Sequence, residues 1–378
     1  MNDPFHITDF LDPVDIGPAS LPDRFREGQI GRYVDAYEGE MPSFAGADIV
    51  LLGCGERRGD LHGDFDNAGP DAIRRQFYSL YHWNRHIRIA DAGNIRRGAT
   101  LADTYAALRS VVSEIRNAGA KAVILGGGHD LTLGQYEVYR ASEKIIEATV
   151  IDSHINLSID IPVKSSNYLM EMLTGEPNFI RHYNHIGFQS YLVHPNMLET
   201  MDKLRFDCFR LGHVREAFEE MEPVIRQSNM VSFDIAAMQY SAAPVSAALP
   251  NGFNGEEACT LMYYCGLSQK LDTLGLYGYD AGTDVHELAA KQMAQMIWYF
   301  MDGIRKGMTE APFSDSDSFT EFHTVFAEVD TVFLQSRKTG RWWMRMPDGT
   351  YIACSYRDYT LAGSNEIPER WLRAQERG

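Results

Sequence analysis

The sequence predicts an α/β fold in which a mainly parallel sheet lies between two layers of helices. Three observations carry this prediction. Short apolar strands alternate with amphipathic helical stretches through most of the chain, the pattern of a parallel sheet covered on both faces. Three of the strands end in side chains that carry chemistry: residues 121–125 run into Gly126-Gly127-Gly128-His129-Asp130, residues 148–151 into Asp152-Ser153-His154-Ile155-Asn156, and residues 230–233 into Asp234. Open α/β sheets bind ligands just beyond the carboxyl ends of their strands, so His129, Asp152, His154 and Asp234 are offered to one crevice.

Taken in order, residues 1–45 hold Pro4, Pro13, Pro18, Pro22 and Pro42 with little periodicity, and read as an arm laid over the surface. Residues 47–53 form the first apolar strand, and Pro70 suits the first turn of the helix that follows. Residues 87–93 read as a strand and turn. Thr100 then caps a helix whose Leu101, Tyr105, Leu108, Val112 and Ile115 recur at spacings of four and three, with Gly119 ending it. Further strands are predicted at residues 185–189, 206–211 and 274–279. Two stretches, 161–182 and 235–254, read as long loops that wall the crevice. A helix over residues 288–300 closes the core, so the main domain is expected over residues 46–308. Residues 309–378 form an appendix that holds Trp342, Trp343 and Trp371 beside Arg337, Lys338, Arg341 and Arg345. Such residues pack an appendix onto its own domain or build a face for a protein partner.

Composition narrows the function classes. With 44% hydrophobic residues there is ample material for a core. A formal charge of −17 with no basic run excludes nucleic acid and anionic membrane as expected partners. Five cysteines without a Cys-x-x-Cys pair, and no secretory or membrane-spanning apolar segment, lead to the expectation of a reduced, cytoplasmic protein.

In a strand alternate residues point the same way, so an extended continuation past Ile151 puts Asp152, His154 and Asn156 on one face. This set, with Gly-Gly-x-His before it and Ser232-Phe233-Asp234 after it, resembles the ureohydrolases, the family of arginase, agmatinase and formimidoylglutamase. Gly69-Pro70-Asp71-Ala72-Ile73-Arg74 is similar to a further segment of that family. The resemblance implies a three-layer α/β/α arginase/deacetylase-like fold, an oligomer, and a binuclear manganese site that activates water against a guanidinium or formimino carbon. The triple-glycine His motif and the Gln295-Met296-Ile297-Trp298-Tyr299-Phe300 helix look most like the formimidoylglutamase type.

The departures from the family pattern are specific. Asn156 and Ala236 stand where the family has aspartates, and Gln239-Tyr240 replaces Asp-Pro. Two carboxylates, Asp152 and Asp234, neutralise only one divalent ion, which argues against a full binuclear manganese site. The expected ligands are His129, Asp152, His154, Asp234 and Asn156, holding one manganese or zinc ion or none. The family's substrate-binding Glu aligns with Gly278, and Asp280 two residues on is the nearest substitute. Deacetylases of the same fold look similar in holding one zinc with Asp, His and Asp, here Asp152, His154 and Asp234. In that reading His129 is the general base and Tyr279 the oxyanion stabiliser. The sequence therefore supports a formimidoylglutamase-like protein with an incomplete metal site, catalytically impaired or acting as a binding protein for a small amidine-type ligand. Its alternative is a single-metal hydrolase of a C–N bond.

Overall fold

The computed structural model describes residues 6–17, 24–158, 161–245 and 247–377, so Pro4, Pro18 and Pro22 of the expected arm lie outside the described residues. Ten strands form the central sheet: β1 (Leu11–Asp12), β2 (Asp35–Ala36), β3 (Ile49–Gly53), β4 (Ile89–Ile95), β5 (Lys121–Leu125), β6 (Ile146–Ile151), β7 (Ile180–Phe188), β8 (Asp207–Arg210), β9 (Met230–Asp234) and β10 (Thr273–Tyr277). Their order is β1-β4-β3-β5-β10-β9-β6-β7-β8, with β2 also paired to β4. All these pairings are parallel except β1 with β4.

The central strands are continuous apolar runs because both their faces are covered. Alternate residues divide between two cores: Ile49, Leu51, Val123 and Leu125 enter one, and Val50, Leu52, Ala122 and Ile124 the other. The first core receives helices Ala68–Tyr78, Gly255–Leu267 and Leu288–Gly307; the second receives Leu101–Asn117, Leu131–Ala141 and Lys164–Thr174. The three-layer arrangement expected from the alternation is therefore present. Thr100 caps its helix by accepting a hydrogen bond from the Asp103 N–H, as its position implied.

One stretch departs from the expectation. Residues 161–182 are not a loop, since they contain the helix Lys164–Thr174 and the start of β7. Tyr168, Leu169 and Met172, at helical spacing, bury the inner face of that helix.

The C-terminal stretch builds a second sheet, antiparallel and ordered β11 (Phe319–Phe326), β12 (Val329–Ser336), β13 (Trp342–Arg345) and β14 (Tyr351–Cys354). Trp342 and Trp343 are neighbours in a strand and so face opposite ways. Trp342 joins Phe333 and Met344 in one small core, which also holds Trp371, and Trp343 joins Phe319, Val332 and Leu334 in another. Arg226 fixes this sheet to the main body. Its guanidinium donates to the carbonyls of Trp342 (2.9 Å) and Cys354 (3.2 Å) and lies over the Trp343 ring. Among the described residues no helix is long and apolar enough to cross a membrane.

A buried ion cluster locks the first helix to the sheet. Arg74, fully buried, donates to both carboxylate oxygens of Asp91 (2.8 and 2.9 Å), to Asp71 (3.1 Å) and to the Gly93 carbonyl (2.7 Å). Replacing Arg74 with Met leaves Asp91 charged and unpaired in the core. The expected loss is about 3–5 kcal/mol of unfolding free energy in a denaturant titration; a loss below about 1 kcal/mol contradicts this role.

Candidate metal centre

Gly126 and Gly127 end β5 with φ of +84° and +80°, and a side chain at either would strike Pro70 or Leu131. Only glycine fits this turn, which returns the chain so that His129 sits over the sheet. Asp152 leaves the end of β6 and Asp234 ends β9, the neighbouring strand. Three strand ends thus bring three buried side chains to one point. His129 Nδ1 lies 3.0 Å from Asp152 Oδ2 and 3.1 Å from Asp234 Oδ2. Asn156 stands beside them, its amide donating to Asp152 Oδ2 (2.7 Å) and lying 3.2 Å from His129 Nδ1.

The other nitrogen of His129 is held from behind. Nε2 lies 3.0 Å from Ser232 Oγ and 3.2 Å from the Tyr168 hydroxyl, and Ser232 is in turn bonded to Thr132 (2.6 Å). His185, buried on β7, sets its Nε2 3.1 Å from the Asp152 carbonyl and receives the Tyr183 hydroxyl at Nδ1 (2.9 Å). A carbonyl only accepts, so His185 carries its proton on Nε2. Burial pushes its pKa down to about 4, and it stays neutral.

Electrostatics leaves this group one charge short. Burial raises the Asp152 carboxyl, but the hydrogen bond and charge of His129 outweigh that and hold it below the usual range. Burial pushes the Asp234 carboxyl up. For His129 burial works downward, while Asp234 and Asp152 more than reverse it and raise its pKa. Two buried carboxylates against one imidazole remain net negative even when the imidazole is protonated, and an unbalanced buried charge is costly. A divalent cation balances both. Among the described residues, His129, Asp152 and Asp234 are the group whose donor atoms converge closely enough to hold one.

Two expected members are elsewhere. The chain leaves strand geometry after Ile151, so His154 turns away with 40% of its side chain exposed, and its Nδ1 bonds Ser153 (2.9 Å). The histidine that converges with Asp152 and Asp234 is therefore His129 and not His154. Tyr279 is buried and its hydroxyl donates to Asp284 (2.9 Å), so it is not placed as an oxyanion stabiliser. Ala236 contributes only its N–H, to Asp234 Oδ1 (2.6 Å). Sequence reading missed Ser232, Tyr168 and His185 as supports. Ser232 was accessible to it, two residues before Asp234 and hence on the same strand face.

A model of the arginase family matches residues 47–302. The chain belongs to the arginase family. Among its relatives, the formimidoylglutamase of Hahella chejuensis is 27% identical over 170 residues, 42% of this chain and about half (51%) of that protein. The formimidoylglutamase of Streptococcus gordonii is 22% identical over 296 residues, 72% of this chain and 89% of that protein. Two solved structures share the fold. Trypanosoma cruzi formiminoglutamase with manganese has a TM-score of 0.62 at 20% identity, covering 70% of this chain and 99% of that one. Bacillus subtilis formimidoylglutamase has a TM-score of 0.64 at 14% identity, covering 73% and 92%. Family membership accounts for the strand-end motifs, and the altered residues set this member apart.

Removing the supports behind His129 separately tests the centre. Tyr168→Phe and Ser232→Ala are each expected to weaken manganese or zinc affinity about 10–100-fold, measured by calorimetric titration, and Asp234→Ala to abolish binding. Unchanged affinity in Asp234→Ala places the ion elsewhere.

Proposed function

We propose that this chain is a formimidoylglutamase-like ureohydrolase with a single-ion centre, one manganese or zinc held by His129, Asp152 and Asp234 with Asn156 beside them. In this reading its hydrolysis of formimino and amidine C–N bonds is slowed far below that of a binuclear centre. The observation that carries it is the contrast between the two ion positions: one keeps three converging, buried donors, while the other has a methyl group at Ala236 and a turned-away His154. When bound, such an ion supplies Lewis acidity and a more acidic water. The chain's own part is to hold His129 Nδ1 at the point where Asp152 and Asp234 converge, by bonding Nε2 to Ser232 and Tyr168, in a buried setting that strengthens electrostatic interactions.

The lip of the crevice supports weak binding of a cation. Asp280, the nearest substitute for the family's substrate carboxylate, is already paired with Arg57 (2.7 Å), which also bonds Asp60 (3.3 Å). Gly278 cannot simply be replaced by Glu. Its φ is +76° and a Cβ there falls 2.5 Å from Asp234 Oδ1, so the substitution would disturb the centre it is meant to complete. The five free cysteines accord with a reducing, cytoplasmic setting.

Protein supplied with manganese and zinc is expected to turn over formiminoglutamate, agmatine and arginine more slowly than about one per second. The double variant Asn156→Asp, Ala236→Asp restores two carboxylates without touching Gly278, and is expected to raise turnover at least about tenfold. Turnover of about one per second or more by the unmodified protein contradicts impairment.

A further inference from the structure

The hairpin of β11 and β12 closes through Ala327 and Glu328, both at positive φ (47° and 65°), with Phe326 opposite Val329. This is the two-residue hairpin turn whose flanking pair exchanges hydrogen bonds, and bonded pairs then recur at every second residue. The Arg337 N–H, bonded to the Ser318 carbonyl (2.9 Å) across the same pair of strands, keeps that alternation. Even-numbered residues of β11 therefore bond β12, and the backbone groups of Glu321, His323 and Val325 project from the opposite edge, with the Phe319 carbonyl; the Phe319 N–H is already bonded to the Ser316 carbonyl. Among the described residues no strand pairs with that edge. The far side of the sheet is different, because Arg226 ties β13 and β14 to the main body.

An edge left open from Glu321 to Val325 is unusual. Phe319–Phe326 contains no proline, glycine or lysine, and its register with β12 is unbroken by a bulge. These are the devices that keep edge strands from pairing with other chains. Glu321, His323 and Val325 are exposed along it.

We infer that β11 joins two copies of this chain edge to edge, antiparallel about a two-fold axis, into one eight-stranded sheet. Opposed residues in an antiparallel pair share a face, so the axis passes through a residue position rather than between two. Centring on Glu321 opposes the two Glu321 carboxylates. Centring on His323 opposes two imidazoles and sets Glu321 against Val325 of the partner subunit. Centring on Phe322 sets Glu321 against His323 of the partner subunit twice and Thr320 against Thr324 of the partner subunit twice, with the two Phe322 rings meeting on the axis. The last register matches every pair in kind and lets the projecting groups form about six hydrogen bonds. Within one chain Glu321 and His323 already approach to 3.6 Å on this face, so each pair becomes half of a four-membered cluster in which carboxylates and imidazoles alternate.

Sedimentation velocity of the full chain over a concentration series is expected to show a dimer. His323→Glu, which sets carboxylates opposite one another, is expected to raise the dimer dissociation constant by roughly tenfold or more. The swap Glu321→His with His323→Glu restores a carboxylate opposite an imidazole in the same register and is expected to restore dimerisation, with circular dichroism confirming the fold of each variant. A monomeric wild type, a dimer indifferent to His323→Glu, or a swap that fails to rescue overturns the proposal.

Discussion

Two carboxylates buried against one imidazole are the constraint on which the rest of this centre depends. Asp152 and Asp234 end neighbouring parallel strands, and β10 separates them from the strand that delivers His129. Parallel strands present their carboxyl ends to one crevice, and burying two carboxylates with one imidazole there leaves a net negative charge that a divalent cation balances. The hydroxyls of Ser232 and Tyr168 and the Asn156 amide serve this arrangement by bonding the central side chains, and the neutral His185 by bonding the Asp152 backbone carbonyl.

The family relation explains what is kept and makes the departures informative. Both shared carboxylates and the first histidine remain, with Ser232 behind it. Of the altered residues, Asn156 stands beside His129 and Asp152, while Ala236 and Gly278 border Asp234. Around Gly278 the structure has closed in: its positive φ and its contact with Asp234 suit glycine, and the Arg57–Asp280 pair occupies the nearby charge. The site is adapted to its altered residues rather than a ureohydrolase site with three groups missing.

Much of this was legible in the sequence, for a physical reason. Buried parallel strands must be apolar throughout and must end where polar chemistry begins, so β5, β6 and β9 announce both themselves and His129, Asp152 and Asp234. The period-two argument stopped working where the strand stopped. Asp152 and Asn156 came together across a bent loop, while His154 followed the bend outward. Tyr168 was hidden by a composition rich in Ser and Asn, which read as loop although the spacing of Tyr168, Leu169 and Met172 is helical. The partner of Tyr279 was not legible, since Asp284 lies in an irregular segment with no periodicity to place it.

The number of ions at the centre is the claim from which the functional reading follows, and diffraction locates them directly. Crystals grown with excess manganese, recorded near the manganese absorption edge, are predicted to show one anomalous peak per chain, bounded by His129, Asp152 and Asp234. A second peak about 3.5–4 Å from the first, the spacing of two-metal hydrolytic sites, would contradict the single-ion account.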